Sequence, residues 1–194
     1  EFLCHGFEKL LPVAEMGLVG RHNMANALAA LALGNSVGLP MDVMTNTLRA
    51  FKGLPHRCEL VAELGGVRFV NDSKGTNVGA TEAALEGLGG TRDILLIAGG
   101  QSKGADFSPL RQAVQAHCRL LVLIGEDADK MEAALGHLVP TLLASSLDEA
   151  VILAREQARP GDVVLLSPAC ASLDMFRDFN HRGETFVSLV NELS

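Results

Sequence analysis

Three short segments carry side chains able to grip an anion. They are Asn71-Asp72-Ser73-Lys74-Gly75-Thr76-Asn77, Gly99-Gly100-Gln101-Ser102-Lys103-Gly104 and Ser167-Pro168-Ala169-Cys170-Ala171-Ser172. The first sets an acid, a lysine and hydroxyls just ahead of a helical pattern, where free backbone N–H groups and the helix dipole favour a carboxylate or phosphate. The plainer reading is a capped helix, with Thr76 or Asn77 as the N-cap and Lys74 in solvent. In the second, paired glycines let backbone approach a ligand and Lys103 supplies a point charge; the alternative is a tight turn with an exposed lysine. The third offers Ser172 as an N-cap before Leu173-Asp174, with Asp174 complementing the dipole.

Two further patterns are open. His22-Asn23 and Asn26 begin an apolar helix, where amides either cap it or read the edge of a heterocycle. Arg57 is either a surface arginine or a bidentate phosphate ligand brought in when two domains close.

The elements around these residues decide among such readings. Continuous apolar runs at Ile94–Ala98, Leu120–Ile124, Thr141–Leu143 and Val163–Leu166 alternate with helix-length segments at 108–117, 128–137, 147–158 and 180–193. That is the pattern of parallel strands covered on both faces by helices. Leu60–Glu63 and Val67–Asn71 flank Gly65-Gly66 as a hairpin, and Val78–Leu88 follows as a helix. The expectation is an α/β, Rossmann-like, three-layer domain over 57–194 with a mostly parallel sheet. Two helices of a different domain precede it within 1–56, and Gly53-Leu54-Pro55-His56 is the linker. The first helix, over Asn23–Val37, has Ala and Leu on nearly every face and is expected to be buried on most sides. The second starts at Pro40 and runs to about Lys52. Ligands of an open α/β sheet bind beyond the carboxyl ends of its strands, and all three segments fall on that edge. Their convergence there favours the ligand-binding readings.

Composition narrows the partners. The 194-residue chain has a formal charge of -7 and no basic block, which disfavours nucleic acid. Its longest apolar stretches fall far short of the ~20 residues of a membrane span. Cys4, Cys58, Cys118 and Cys170 are widely spaced, with no metal-binding pattern, and read as reduced, mostly buried thiols in a cytoplasmic protein. The chain opens at Glu1 without an initiator methionine or signal segment, which reads as a cut.

Taken together, Gly20-Arg21-His22-Asn23-Met24-Ala25-Asn26-Ala27, Gly53-Leu54-Pro55-His56-Arg57, Asn71 to Asn77 and Ser167 to Phe176 resemble the Mur ligases of peptidoglycan synthesis, in the same order and spacing. The nearest resemblance is to the branch that adds D-glutamate to UDP-N-acetylmuramoyl-L-alanine. It implies the C-terminal amino-acid-binding domain, preceded by the tail of a central ATPase domain. The N-terminal domain, the phosphate loop and most ligands of magnesium would lie outside this chain. The chemistry implied is activation of a carboxylate by ATP as an acyl phosphate, followed by attack of the D-glutamate amine. The resemblance places Asn23 and Asn26 near adenine, Asp72 at the ribose hydroxyls and Arg57 at the nucleotide phosphates. It further implies that Lys74 lines the reaction centre, with Arg182 nearby, and that Thr76, Lys103, Ser172, Leu173 through its backbone, and Phe179 form the D-glutamate pocket. No metal ligand is assigned here. Gly75 departs from the expected alanine, removing a methyl group but altering no donor.

Other readings fit less well. A nicotinamide-dependent dehydrogenase needs a glycine fingerprint that is missing. Mur ligases that add a diamino acid carry an Asn-Pro-Arg signature, absent here. Folylpolyglutamate synthetases share the layout but match these loops less closely, and a non-catalytic ligand-binding module stays open.

Overall fold

The computed structural model describes residues 1–18 and 21–193, and the side chains of all of these but 21 and 22. Gly20, which opens one quoted motif, and the His22 side chain lie outside the described residues. The chain divides into two compact units, Glu1–Leu54 and Pro55–Ser194.

The first unit holds more than two helices. Strands β1 (Phe2–His5) and β2 (Glu8–Pro12) form an antiparallel hairpin. It had no signal in the sequence, because its residues show no clean apolar alternation. Helices α1 (Arg21–Ser36) and α2 (Met41–Ala50) follow, with Pro40 at the N-cap of α2. Leu3, Leu11, Ala27 and Leu31 form the core, flanked by Met24, Met44 and Leu48. Gly34 allows α1 and α2 to approach, since a Cβ there would sit 2.2 Å from Met44 Sδ. The expectation of a helix buried on most sides is corrected. Only one stripe of α1 is covered within this unit, and Leu33 and Val37 are 70% and 75% exposed.

The second unit is built on a six-stranded sheet in the order β3-β4-β8-β5-β6-β7. Its strands are β3 (Glu59–Leu64), β4 (Val67–Asn71), β5 (Ile94–Gly99), β6 (Cys118–Ile124), β7 (Thr141–Leu143) and β8 (Val163–Leu166). Only β3 runs antiparallel; the other pairings are parallel. Gly65 and Gly66 turn the β3–β4 hairpin with φ of 59° and 77°, a conformation that glycine adopts without a Cβ penalty.

Side-chain alternation splits the core into two layers. Val70, Leu96, Leu121, Val163 and Leu165 pack under α3 (Val78–Leu88), α4 (Arg111–His117) and α5 (Ala128–Leu135). Phe69, Leu95, Ile97, Val122, Val164 and Leu166 pack under α6 (Leu147–Gln157) and α7 (Phe179–Glu192). Every residue of β5 and β8 is buried, which is why those runs read as unbroken apolar sequence. Each such Leu, Ile or Val contributes about 1.5–3 kcal/mol. The expected helix over 108–117 begins with a 3-10 turn at Ser108–Leu110, with Pro109 in it. The chain passes from β4 to β5 through α3, leaving a gap that β8 later fills. The carboxyl ends of β4, β8 and β5 therefore lie side by side.

Candidate functional site

The loops that leave β4, β8 and β5 are fastened to one another by backbone hydrogen bonds. Ala169 N donates to Gly75 O and Gly99 N to Pro168 O, both at 2.9 Å, while Gln101 and Ala171 form a two-way bridge at 3.0 Å. Glycine makes this spacing possible. A Cβ on Gly99 would stand 2.0 Å from Ile124 O, and one on Gly100 2.3 Å from Ala171 O. Asp127, buried after β6, anchors the middle loop by accepting from Ser102 N at 2.7 Å; its bonds from Lys130 and Ser102 hold its carboxyl down to about 2. Asp174 ties the loops after β6 and β8, accepting from Glu126 N at 2.9 Å.

Within this frame Lys74 is half-buried, and its ammonium lies 4.0 Å from the centroid of the Phe179 ring, within cation–π range. Lys103 is exposed and holds a left-handed backbone at φ 54°, as does Ala169 at 58°. Strained backbone of this kind costs about 1–3 kcal/mol per residue and gathers at functional sites. Neither lysine is in a salt bridge among the described residues. Thr76 is half-buried and Ser172 3% exposed, and the hydroxyls of both lack a hydrogen-bond partner among the described residues. Leu173 is 59% exposed.

Of the two N-caps open for α3, Asn77 is the one used, its side chain accepting from Ala80 N at 3.0 Å. The assignment of Ser172 as an N-cap is corrected. Ser172 does not begin a helix. Met175 N and Phe176 N fold back onto its carbonyl, and Asp178 caps α7 by accepting from His181 N. The Ser172 hydroxyl and the Asp174 carboxylate are thus free of the capping roles expected of them.

Asp72 is buried at 7% exposure, with Cys58 N donating to Oδ1 at 3.2 Å and the Ser167 hydroxyl to Oδ2 at 2.7 Å. Burial raises its carboxyl above the usual range, against the lowering effect of the Ser167 and Cys58 hydrogen bonds and of the Arg57 charge. Ser167 also contacts Thr81 Oγ1 at 3.0 Å. The glycine at 75 matters more than the loss of a methyl suggested. A Cβ there would be 2.5 Å from Asp72 Oδ2 and 2.7 Å from Ser167 Oγ, so Gly75 makes room for that donor–acceptor pair. Arg57 is exposed between His56 and Cys58, whose φ values are 62° and 46°.

Arg182 is nowhere near solvent. At 1% exposure it bonds to Ser73 and Cys170 O, so it supports the loops and does not line an open pocket. Asn71 and His56 form a second support. Asn71 Oδ1 accepts from Ser73 N, which directs its amide N–H toward His56 Nδ1 at 2.9 Å and Gly183 O at 3.3 Å. Ser73, Asn71, Ser167 and Asp127 were not picked out as site residues from the sequence, because each acts through partners distant along the chain. Asn23 and Asn26 lie in the first turns of α1, in the first unit, Asn23 half-buried and Asn26 exposed. Arg57, Asp72 and the proposed acceptor residues all belong to the second.

Among the described residues no cluster of three or more His, Cys, Asp or Glu side chains is arranged to hold a metal ion, and no helix is long and apolar enough to cross a membrane. Cys4 is exposed, Cys58 half-buried, and Cys118 and Cys170 buried; all four are free thiols.

Residues 56–170 match the family described as "Mur ligase, glutamate ligase domain". The chain is 58% identical over 194 residues to UDP-N-acetylmuramoylalanine–D-glutamate ligase of Legionella pneumophila, covering 99% of itself and 43% of that protein. The enzyme of the same name from Marinobacter nauticus is 59% identical over 193 residues, with the same shares covered. Among solved structures, a folylpolyglutamate synthase of Mycobacterium tuberculosis complexed with ADP superposes with a TM-score of 0.70 at 16% identity, over 94% of this chain and 42% of that one. UDP-N-acetylmuramate-alanine ligase of Thermotoga maritima gives 0.67 at 18% identity, over 91% and 39%. Those two share the fold. The chain spans less than half the length of the curated relatives it matches.

Proposed function

The chain belongs to the Mur ligase family, and from that premise we propose that it carries the amino-acid-accepting part of an ATP-dependent ligase that joins D-glutamate to UDP-N-acetylmuramoyl-L-alanine in the cytoplasm. The observation that carries this reading is the shared edge of β4, β8 and β5. There two ammoniums without carboxylate partners, Lys74 and Lys103, stand among two unbonded hydroxyls, Thr76 and Ser172. A dicarboxylate held in one orientation needs separate donors for each end. Lys103, Thr76, Ser172 and the Leu173 backbone supply them, and the Phe179 ring closes the pocket.

In the reaction proposed, the neutral D-glutamate amine attacks the carbonyl of an acyl phosphate, an N–C bond forms, phosphate leaves with the bonding pair of the broken C–O bond, and the nitrogen gives up one proton to water. Lys74 faces the charge that develops there, a preorganised cation in a partly dry site. Asp72 retains lone pairs on both oxygens beyond those used by Cys58 and Ser167, which suits it to accept from ribose hydroxyls. Arg57 is assigned to nucleotide phosphates, and Asn23 and Asn26 to adenine. The sequence holds no G-x-x-x-x-G-K-[ST] segment. The phosphate grip and the magnesium ligands are accordingly assigned to other parts of the ligase.

Replacing Lys103 by alanine in the full-length ligase tests the pocket. A charge-assisted hydrogen bond is worth about 1.5–3 kcal/mol, so KM for D-glutamate should rise by roughly one to two orders of magnitude while KM for ATP stays nearly constant. If ATP binding weakened and D-glutamate were unaffected, the glycine loop would be a phosphate site and the assignment would fail.

A further inference from the structure

Ser73 is fully buried and commits every polar atom it has. Its N–H donates to Asn71 Oδ1 at 3.1 Å, and its hydroxyl donates to Phe179 O at 2.8 Å and accepts from Arg182 Nε at 3.0 Å. Its carbonyl accepts from Arg182 Nη2 at 2.9 Å. The same guanidinium reaches Cys170 O from Nη1 and Nη2, both at 3.3 Å. One residue pair thus joins the Lys74 loop, the loop that ends at Ser172, and the first residue of α7.

A buried arginine without a carboxylate is an expensive device. No salt bridge to Arg182 occurs among the described residues. Burial, the largest influence, pulls its guanidinium down to about 10, so it stays charged at neutral pH. Its planar fork satisfies two carbonyls and a hydroxyl at once, which a lysine cannot reproduce. Lys74 follows Ser73 directly, and Phe179 is the residue whose carbonyl Ser73 holds. The clamp therefore fixes both ends of the Lys74–Phe179 contact, while His56 meets the Phe179 ring edge-on at 6.3 Å.

We propose that Ser73 and Arg182 form a buried positioning clamp that seats the Lys74 ammonium on the Phe179 ring and sets its distance from the Ser172 loop. Arg182 is then a positioning residue, acting on the reaction only through Lys74 and Phe179. The inference rests on the functional reading above only for what Lys74 does once it is placed.

The test reads the placement itself. Protons held over an aromatic face are shielded, so the Hε/Cε cross-peaks of Lys9, over Phe2, and of Lys74, over Phe179, should lie upfield of the other lysines; the Lys74 peak is the one that should vanish in Lys74→Arg and in Phe179→Leu. Ser73→Ala and Arg182→Lys should each move that peak back to the common lysine position while the β5 and β8 amide signals hold. Arg182→Lys keeps the charge, so loss of the shift there isolates the fork. A parent spectrum in which no shielded lysine is removed by Lys74→Arg, or a folded Ser73→Ala chain that keeps the full Lys74 shift, would overturn the clamp. Should Arg182→Lys not fold, Ser73→Ala, which deletes a single oxygen, decides the question. Titration with D-glutamate tests the pocket separately: intact clamp signatures with no response would count against the acceptor reading alone.

Discussion

Gly183 sits inside α7 facing His56, and replacing it by alanine sets two effects against each other. Alanine is favoured over glycine in a helix interior by about 1 kcal/mol. Its Cβ, however, would stand 2.3 Å from His56 Nδ1 and 2.8 Å from His56 Cγ, so the ring must move. The ring is not free to do so. Ring Nδ1 accepts from Asn71 at 2.9 Å, and the His56 backbone is held on both sides, its N–H donating to Glu59 Oε2 and its carbonyl accepting from Lys74 N, each at 3.0 Å. Losing one neutral hydrogen bond costs about 0.5–1.5 kcal/mol, and overpacking a closed interior costs about 1–3 kcal/mol. The steric term wins, and a net destabilisation of about 2 kcal/mol follows, or roughly 4–8 °C in Tm for a chain of this size. Calorimetry on Gly183→Ala, His56→Ala and the double variant would measure it. With the ring gone, Gly183→Ala should become neutral or stabilising, giving a coupling of roughly 2–3 kcal/mol. Should Gly183→Ala raise Tm equally in both backgrounds, His56 does not fill the space against α7 and the reasoning fails.

Gly75→Ala brings a Cβ within 2.5 Å of Asp72 Oδ2, so a crystal structure of the variant should show the carboxylate turned away from Ser167; survival of the 2.7 Å bond would mean that the backbone yields instead. Asp127 carries a carboxyl held down to about 2, from 3.8, chiefly by its bond from Lys130 and then by Ser102. A depressed acid stabilises the fold above its unfolded value and loses that contribution as pH falls through the folded one. Asp127→Asn should therefore flatten the dependence of urea-unfolding stability on pH between about 4 and 2, and an unchanged slope would refute the role given to Asp127.

Much of the fold was legible because burial writes itself into local sequence. β5 and β8 are covered on both faces, so nothing polar interrupts Ile94–Ala98 or Val163–Leu166, and the Gly65-Gly66 turn marks its hairpin directly. α1 misled for a related reason. Periodicity reports how apolar a helix is on each face, not whether its own unit supplies the cover, and Leu28, Leu33 and Val37 remain exposed. The β1–β2 hairpin escaped notice because strands with one buried residue each leave no alternation to read.

The edge of the sheet was readable for the same reason as the strands, since whatever follows a buried run must emerge at its end. What sequence could not supply was the linkage between those loops. Ser73 meets Arg182 across 109 positions, and Asp72 meets Ser167 across 95. Such pairs share no period and no motif. Their partners are set by strand order, and β8 enters the gap between β4 and β5 only after the rest of the sheet has been threaded. Resemblance placed Arg182 near the reaction, yet a buried fork among carbonyls cannot touch a substrate without first giving up its bonds. Its closeness to the site and its absence from the site's surface are both consequences of where β8 lies. A cation there steadies the two loops that flank it, whereas Lys103, beyond the end of β5, stays exposed.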